Sequence, residues 1–356
     1  SIAQTFAVKA PARWNIVTMR DVAEHAGVSV TTVSHVINNS RPVNPETRTR
    51  VEQAMQVLGY QPNVLARSLR RGKTHTIGVI LPDNANPYFA EVARGIEDTS
   101  FSQGYSVVLC NSDNDLDKEH LYTNVLIEKQ VDGIIFVAAG LSEENINNLQ
   151  KRGVPSVLVD RHVPGVQLDS VFADNQSGGF LATNHLINLE HRSVACITGP
   201  RGVRSSSERI AGYRQALAAA GIPANPDWVV EGDFQYQSGY SAAQQLFEAG
   251  ETPSAIFACN DLMAIGAYRY AHENQLNIPG DISIIGFDDI RLAEYTNPPL
   301  TTIHQSKDRM GALAAELLLE RIANGNLAFR HKIVAVQLVV RSSTALNQQI
   351  MEAEAR

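Results

Sequence analysis

No stretch of this sequence stays apolar long enough to cross a bilayer. Charge, glycine or proline interrupts every hydrophobic run within about ten residues, where a spanning helix needs about 20. Residues 1–17 carry alanines and a lysine but no continuous apolar segment behind a basic start. They read as a flexible extension rather than a secretion signal, and a cytoplasmic protein is expected, with no membrane partner. Cysteine is scarce: Cys110, Cys196 and Cys259 are odd in number, far apart and set in apolar runs such as Val-Val-Leu-Cys. That argues against a disulfide framework and points to reduced thiols buried in strands.

Catalytic signatures are missing as well. There is no Gly-x-Gly-x-x-Gly, no phosphate-cradling Gly-Lys-Ser/Thr, no Gly-x-Ser-x-Gly and no His-Glu-x-x-His. Asp113-Asn-Asp115-Leu-Asp117 imitates the start of a calcium loop, but Lys118 stands where the turn needs glycine and Asn124 where it needs a bidentate glutamate. His185 and His191 lie off a common helical face and are expected at the surface or at helix ends. Neither an enzyme nor a metal or cofactor site is expected.

What is present is unevenly charged. The net charge of −7 hides a basic head: residues 18–73 hold eight basic and four acidic side chains, and Lys9 and Arg13 raise the surplus of residues 1–73 to +6. The remaining 283 residues then carry −13. A basic segment joined to an acidic body fits a nucleic-acid contact confined to one end.

Within the head, Met-Arg-Asp-Val-Ala-Glu-His-Ala-Gly-Val-Ser-Val-Thr-Thr-Val-Ser-His-Val-Ile-Asn runs from Met19 with a helical apolar period broken once, at Gly27. Two short helices meeting at a tight turn are predicted. Ala23 is small where they approach, Gly27 allows the positive φ of the turn, Val28 and Val33 fill the gap, and Ser29 caps the second helix. That helix presents Val30, Thr31, Thr32, Ser34 and His35, small or hydrogen-bonding side chains suited to base edges in a major groove. Ordinary helical hairpins share this spacing. Here, however, a third helix starts at Asn44-Pro45 and runs to Gly59, making a compact headpiece. Arg41, Arg48, Arg50 and Tyr60 lie near the ends of these elements, where they are expected to hold phosphates.

Pro62-Asn-Val-Leu-Ala-Arg-Ser-Leu-Arg-Arg-Gly-Lys-Thr74 follows. With Thr-Val-Ser-His-Val-Ile-Asn in the second helix, this run resembles the lactose-repressor family over residues 18 to about 345, and within it the ribose and purine repressors. A helix as short as Asn63 to Arg71 does not stand alone, because nucleation is unfavourable and few hydrogen bonds follow. The resemblance implies that two copies pair across a homodimer, enter the minor groove at the operator centre and wedge Leu69 into the central step, with Leu65 packing the pair. It extends the expected DNA-contacting set to Thr18, Arg20 and Asn38 in the headpiece and Asn63, Ala66, Arg67 and Arg70 in the hinge.

From Thr76, short β-branched runs alternate with amphipathic helical stretches: Ile-Gly-Val-Ile-Leu, Tyr-Ser-Val-Val-Leu-Cys, Gly-Ile-Ile-Phe-Val, Pro-Ser-Val-Leu-Val, Ser-Val-Ala-Cys-Ile-Thr, Ala-Ile-Phe-Ala-Cys and Ile-Ser-Ile-Ile-Gly-Phe. The expected fold is α/β, with parallel sheets in two subdomains of the periplasmic-binding-protein kind and a ligand cleft where strand carboxyl ends face each other. The positions just beyond those strands are Asn86, Tyr88, Phe89, Asp160, Arg161, Arg209, Phe234, Asn260, Asp261, Asp288 and Gln305. Rings that stack on a sugar face, beside groups that bind hydroxyls in pairs, suit a polyhydroxylated effector. By the resemblance, Asp160-Arg161 looks like the sugar-binding members, and Val203 stands where the purine repressor carries a base-contacting arginine, although Arg204 is its neighbour.

The expected organisation is an extension over 1–17, a helix-turn-helix domain over 18–62, a hinge over 63–74, an effector and dimerisation domain over 75–345 and a tail over 346–356. The first subdomain is placed at about 75–160 plus 306–332, the second at about 161–305 plus 333–345. The expected function is a homodimeric repressor of a palindromic operator, induced by a pentose such as ribose or by a hexose. A corepressor or a phosphocarrier protein is the alternative controller. A sugar-transport protein shares the body but not the headpiece. The tail lacks leucine heptads, which argues against a coiled-coil tetramer.

Overall fold

The computed structural model describes residues 17–61, 73–138, 143–160, 167–250 and 252–347, within two compact units, residues 1–74 and 75–356. The expected hinge residues Asn63, Ala66, Arg67, Leu69 and Arg70, and the expected effector residue Arg161, lie outside the described residues.

In the first unit Thr18 caps α1 (Met19–Ala26) reciprocally. Its hydroxyl accepts the Asp21 N–H at 3.4 Å, and the Asp21 carboxylate accepts the Thr18 N–H at 2.7 Å. The helix ends at Gly27, whose φ of 64° lets the Val28 N–H return to the Ala23 carbonyl at 3.0 Å. Ser29 opens α2 (Val30–Asn38) by accepting the Thr32 N–H at 3.1 Å, and Asn44 with Pro45 opens α3 (Pro45–Leu58). Val22, Ala23, Val33, Val51 and Ala54 form the shared core. Tyr60 belongs to that core at 9% exposure.

The second unit holds two six-stranded sheets. The first comprises β1 (Thr76–Leu81), β2 (Ser106–Asn111), β3 (Gly133–Val137), β4 (Ser156–Val159), β5 (Asp169–Ala173) and β11 (His331–Val334), all parallel, in the order β11-β5-β4-β3-β1-β2. It carries helices α4 (Pro87–Ser102), α5 (Leu116–Glu128), α6 (Glu143–Lys151) and α11 (Lys307–Ala323). The second comprises β6 (Val194–Thr198), β7 (Val229–Glu231), β8 (Ala255–Ala258), β9 (Ser283–Asp288), β10 (Thr301–Gln305) and β12 (Val336–Val339), in the order β12-β10-β9-β8-β6-β7, with only β12 antiparallel. Around it lie α7 (Asn175–Asn188), α8 (Arg204–Ala219), α9 (Tyr236–Glu248) and α10 (Asp261–Glu273). Among the described residues no helix is long and apolar enough to cross a membrane.

The chain passes between the halves at Asp174, Ser306 and Ala335. The first passage therefore follows Ala173, not Asp160 as expected. β5 pairs with β4 and completes the first sheet, and the last passage falls after Val334. The Asp174 N–H donates to the Val334 carbonyl at 3.0 Å, binding two passages together. His191 is not a surface histidine. It is 3% exposed, with Nδ1 2.9 Å from Ser254 Oγ and Nε2 3.0 Å from the Ala345 carbonyl. All three cysteines are buried and free, with Cys196 and Cys259 sulfurs 3.8 Å apart.

Candidate functional site

On the headpiece, α2 points its exposed side outward through Val30 and Thr31, and Arg20, Arg41 and Arg50 are exposed nearby. Other expected contacts are half-buried and tied locally. The Thr32 and Ser29 hydroxyls lie 2.9 Å apart, His35 Nδ1 lies 2.8 Å from Ser40 Oγ, and Asn38 Nδ2 turns back to the Ser34 carbonyl at 2.8 Å. Asn38 thus braces its own helix, and Thr18 is spent on the α1 cap. Arg48 donates to Asn39 Oδ1 at 2.8 Å.

The second unit opens a cavity of about 690 Å³ between the carboxyl ends of the two sheets. Asp83, Asn86, Tyr88 and Phe89 follow β1, Asn114 and Leu116 follow β2, Ala138 follows β3 and Asp160 follows β4. Opposite them, Val203, Arg204, Ser205 and Arg209 come after β6, Asp233, Phe234 and Gln235 after β7, and Asn260 and Asp288 at the ends of β8 and β9. Parallel strands aim their carboxyl ends one way, so facing sheets gather these loops in one place. Five non-glycine residues on this wall have positive φ: Asn114 (57°), Ala138 (46°), Asp160 (56°), Phe234 (67°) and Asp288 (116°). Such backbone costs of order 1–3 kcal/mol per residue and persists where the surroundings over-determine it, typically at binding sites.

Arg209 is 3% exposed and reaches the wall across its own half. Its Nε donates to Asn175 Oδ1 at 2.9 Å and its Nη1 to the Cys259 carbonyl at 2.5 Å. Its guanidinium lies 3.7 Å over the Phe287 ring, and Nη1 lies 3.7 Å from Asp288 Oδ1. Asn260 caps α10 by accepting the Met263 N–H at 2.9 Å, and its Nδ2 holds the Phe234 carbonyl at 3.0 Å, which fixes the ring on the wall. Asn86 likewise caps α4, accepting the Tyr88 N–H at 3.0 Å. Gln305 does not line the cavity as expected. It is fully buried behind Asp288 and donates to its Oδ1 at 2.7 Å.

Burial pushes the Asp288 carboxyl up to about 7. Arg209 and Lys307 pull it down and Asp160 pushes it up. The carboxyl of Asp261, beside it, is also raised, first by burial and then by the Asp288 charge. Asp261 accepts the Ile290 N–H at 2.8 Å and the Thr302 hydroxyl at 2.5 Å, bracing the loop that follows Asp288. Burial also raises the Tyr88 phenol, which shares a hydrogen bond with Asp160. The wall thus offers carboxylates, amides and a desolvated guanidinium to hydroxyl groups, and three rings to an apolar face. Among the described residues no group of three or more His, Cys, Asp or Glu is placed to hold a metal ion.

The family model of bacterial regulatory proteins of the lacI family matches residues 18–63, and the model of periplasmic binding proteins and the sugar binding domain of the LacI family matches residues 74–341. The chain belongs to the LacI family. The HTH-type transcriptional repressor PurR of Aliivibrio salmonicida is 41% identical over 327 residues, 92% of this chain and 98% of its own. A LacI family regulator from Enterococcus faecium with bound ribose is 36% identical with a TM-score of 0.70, covering 76% of this chain and 99% of its own. The lac repressor dimer bound to operator and an anti-inducer is 30% identical with a TM-score of 0.83, covering 92% and 99%. The LacI-family chain is a DNA-binding transcriptional repressor with an effector-binding domain.

Reading the sequence missed part of this LacI-family wall. Asp233 and Gln235 follow β7, a three-residue strand with no apolar run to announce it. Asn175 and Lys307 act through the side chain or backbone they hold, and nothing in their spacing marks that partner.

Proposed function

We propose that this repressor acts as a homodimer on a near-palindromic operator and releases it when a sugar, a pentose or a hexose, fills the cavity. The observation that carries the reading is the meeting in one cavity of Asp160, Arg209, Asn260 and Asp288 with Tyr88, Phe89 and Phe234. Polar groups that bind hydroxyls two at a time, alongside rings that take a C–H face, match both faces of a sugar. The ribose-bound relative from Enterococcus faecium supports a pentose. Arg161 is proposed to join the set from beside Asp160.

A dimer is supported by the operator-bound lac repressor dimer and by exposed apolar side chains on the first half, Phe101 at 75% and Leu121 at 60%. Closing the cavity would change how the two halves present that surface, and a ligand acts only through its different affinity for the two states. For the DNA contacts, the exposed Arg20, Val30, Thr31 and Arg41 together with the hinge residues are the proposed set.

A purine corepressor is the second reading, favoured by the PurR relatives. Against it, Arg204 places Nε 2.5 Å from Glu208 and Val203 offers the cavity no polar group. Calorimetry on the full chain with pentoses, hexoses and purines, paired with operator binding, decides. Sugar heat with operator release is expected. Purine heat with tighter operator binding would replace the sugar reading. Asp288→Ala is expected to remove the effector response while apo operator binding stays within about twofold, and an unchanged dose response would take Asp288 out of the site.

A further inference from the structure

We propose that Lys307 is the positioning residue of the effector site, the tie that holds the Asp288 turn of one half against the aromatic helix of the other. The inference rests on the sugar reading and adds to it a residue that does not line the cavity.

Lys307 opens α11, a helix of the first half, one residue after the passage at Ser306. It is 2% exposed. Its ammonium donates to the Asp288 carbonyl at 2.6 Å and the Asp289 carbonyl at 2.7 Å, both in the second half, and lies 3.4 Å from Glu91 Oε2 on α4. The ammonium thus donates to two carbonyls of the second half while its charge lies beside a carboxylate of the first. Asp288 and Asp289 take φ of 116° and 55°, consecutive positive values that L side chains disfavour, and both of their carbonyls accept from the one external donor, the Lys307 ammonium. The Asp289 carboxylate anchors the turn to its own half, accepting from Arg341 at 2.7 Å and pairing with His304 at 2.8 Å. Lys307 is what fastens the same turn to the other half. Glu91 follows Tyr88 by three residues on α4, about one helical turn, so the tie runs from the acid on one wall of the cavity to the ring on the facing wall.

Lys307 also acts through its charge. The groups facing Asp288 are Arg209 from α8, Lys307 from α11, Asp160 after β4, Asp261 from α10, Gln305 from β10 and Tyr88 from α4. Two are cations, and Lys307 is one of them. Its removal leaves Asp288 with a single cation against two acids, so the carboxylate that accepts sugar hydroxyls forms only at higher pH.

The test measures D-ribose affinity of the full chain by calorimetry between pH 5.5 and 9, with other pentoses and hexoses as further probes. Wild-type affinity is expected to rise with pH through about 7, as Asp288 ionises. In Lys307→Met the midpoint moves up by about one unit: affinity at pH 7 falls roughly fivefold and recovers at pH 9 to within about threefold. Apo operator affinity stays within about twofold, since the headpiece is a separate unit. An equal loss at every pH, the mark of a packing defect, or no loss at all, overturns the proposal. If Lys307→Met does not fold, Glu91→Gln serves instead. It leaves the ammonium less neutralised, so the midpoint must move down, and a fixed or rising midpoint overturns the proposal. Absence of wild-type heat with every sugar overturns the sugar reading and this inference with it, whereas wild-type binding with unmoved variants overturns the inference alone.

Discussion

A buried imidazole is disfavoured in its charged form because burial strips the hydration that the charge needs, even where a carbonyl takes one of its N–H groups. His191 faces the Ala345 carbonyl with Nε2 and Ser254 with Nδ1, so the proton sits on Nε2. Burial holds its pKa below the ordinary 6.5, and His185 adds to that. As pH falls the unfolded chain therefore takes up the proton first. The contribution is complete above 6.5 and is lost below it, towards the lower folded value. Melting temperature is expected to drop between pH 7.5 and 5.5, and His191→Asn to flatten that part of the slope. An identical slope in the variant would remove His191 as a cause. The same residue shows where reading by spacing stops: the spacing from His185 spoke against a metal, but nothing in it marked Ser254 or Ala345 as partners. Asn86, Asp160 and Asp288 were legible because each directly follows an apolar run or opens the next helix. Lys307 was not, since its role depends on two carbonyls 18 and 19 residues away.

At the level of elements, the seven apolar runs became β1, β2, β3, β4, β6, β8 and β9. The strands that escaped notice carry polar residues inside the sheet or are open at its edge. β5 begins at Asp169, fully buried yet paired with Arg321 at 2.7 Å, and β10 reads Thr-Thr-Ile-His-Gln with both threonines buried. β11 is an edge strand with His331, Lys332 and Ile333 exposed. Each replaces the hydrophobic signal with a tertiary partner. Helix contacts near the site are equally specific. A Cβ on Gly179 of α7 would lie 2.2 Å from the Arg209 carbonyl of α8. Gly179→Ala gains about 1 kcal/mol of helix propensity but forces α8 outward, at about 1–3 kcal/mol, and carries Arg209 with it. The expected outcome is a lower melting temperature and sugar affinity reduced by roughly tenfold or more. A variant as stable as wild type, with unchanged affinity, would show that the helices part freely.

Across the whole molecule, charge separates the two tasks. Residues 1–73 carry +6 and the rest −13, so the body repels a phosphate backbone and the headpiece and hinge must supply the attraction. That attraction alone is indifferent to sequence. Specificity then requires base contacts, proposed here for Val30 and Thr31, and the wedge at the operator centre that the resemblance implies. Leu69, flanked by Arg67, Arg70 and Arg71, is the apolar side chain in that basic run with the reach to part a base step, an act that costs a few kcal/mol and returns a kinked duplex with more surface in contact. Leu69→Ala keeps every positive charge. Fluorescence anisotropy at two salt concentrations should therefore show non-specific affinity and its salt slope within about twofold of wild type, while operator affinity falls by roughly tenfold or more. Equal loss on both DNAs would mean that the leucine packs the hinge rather than the operator, and specificity would then rest on the headpiece alone.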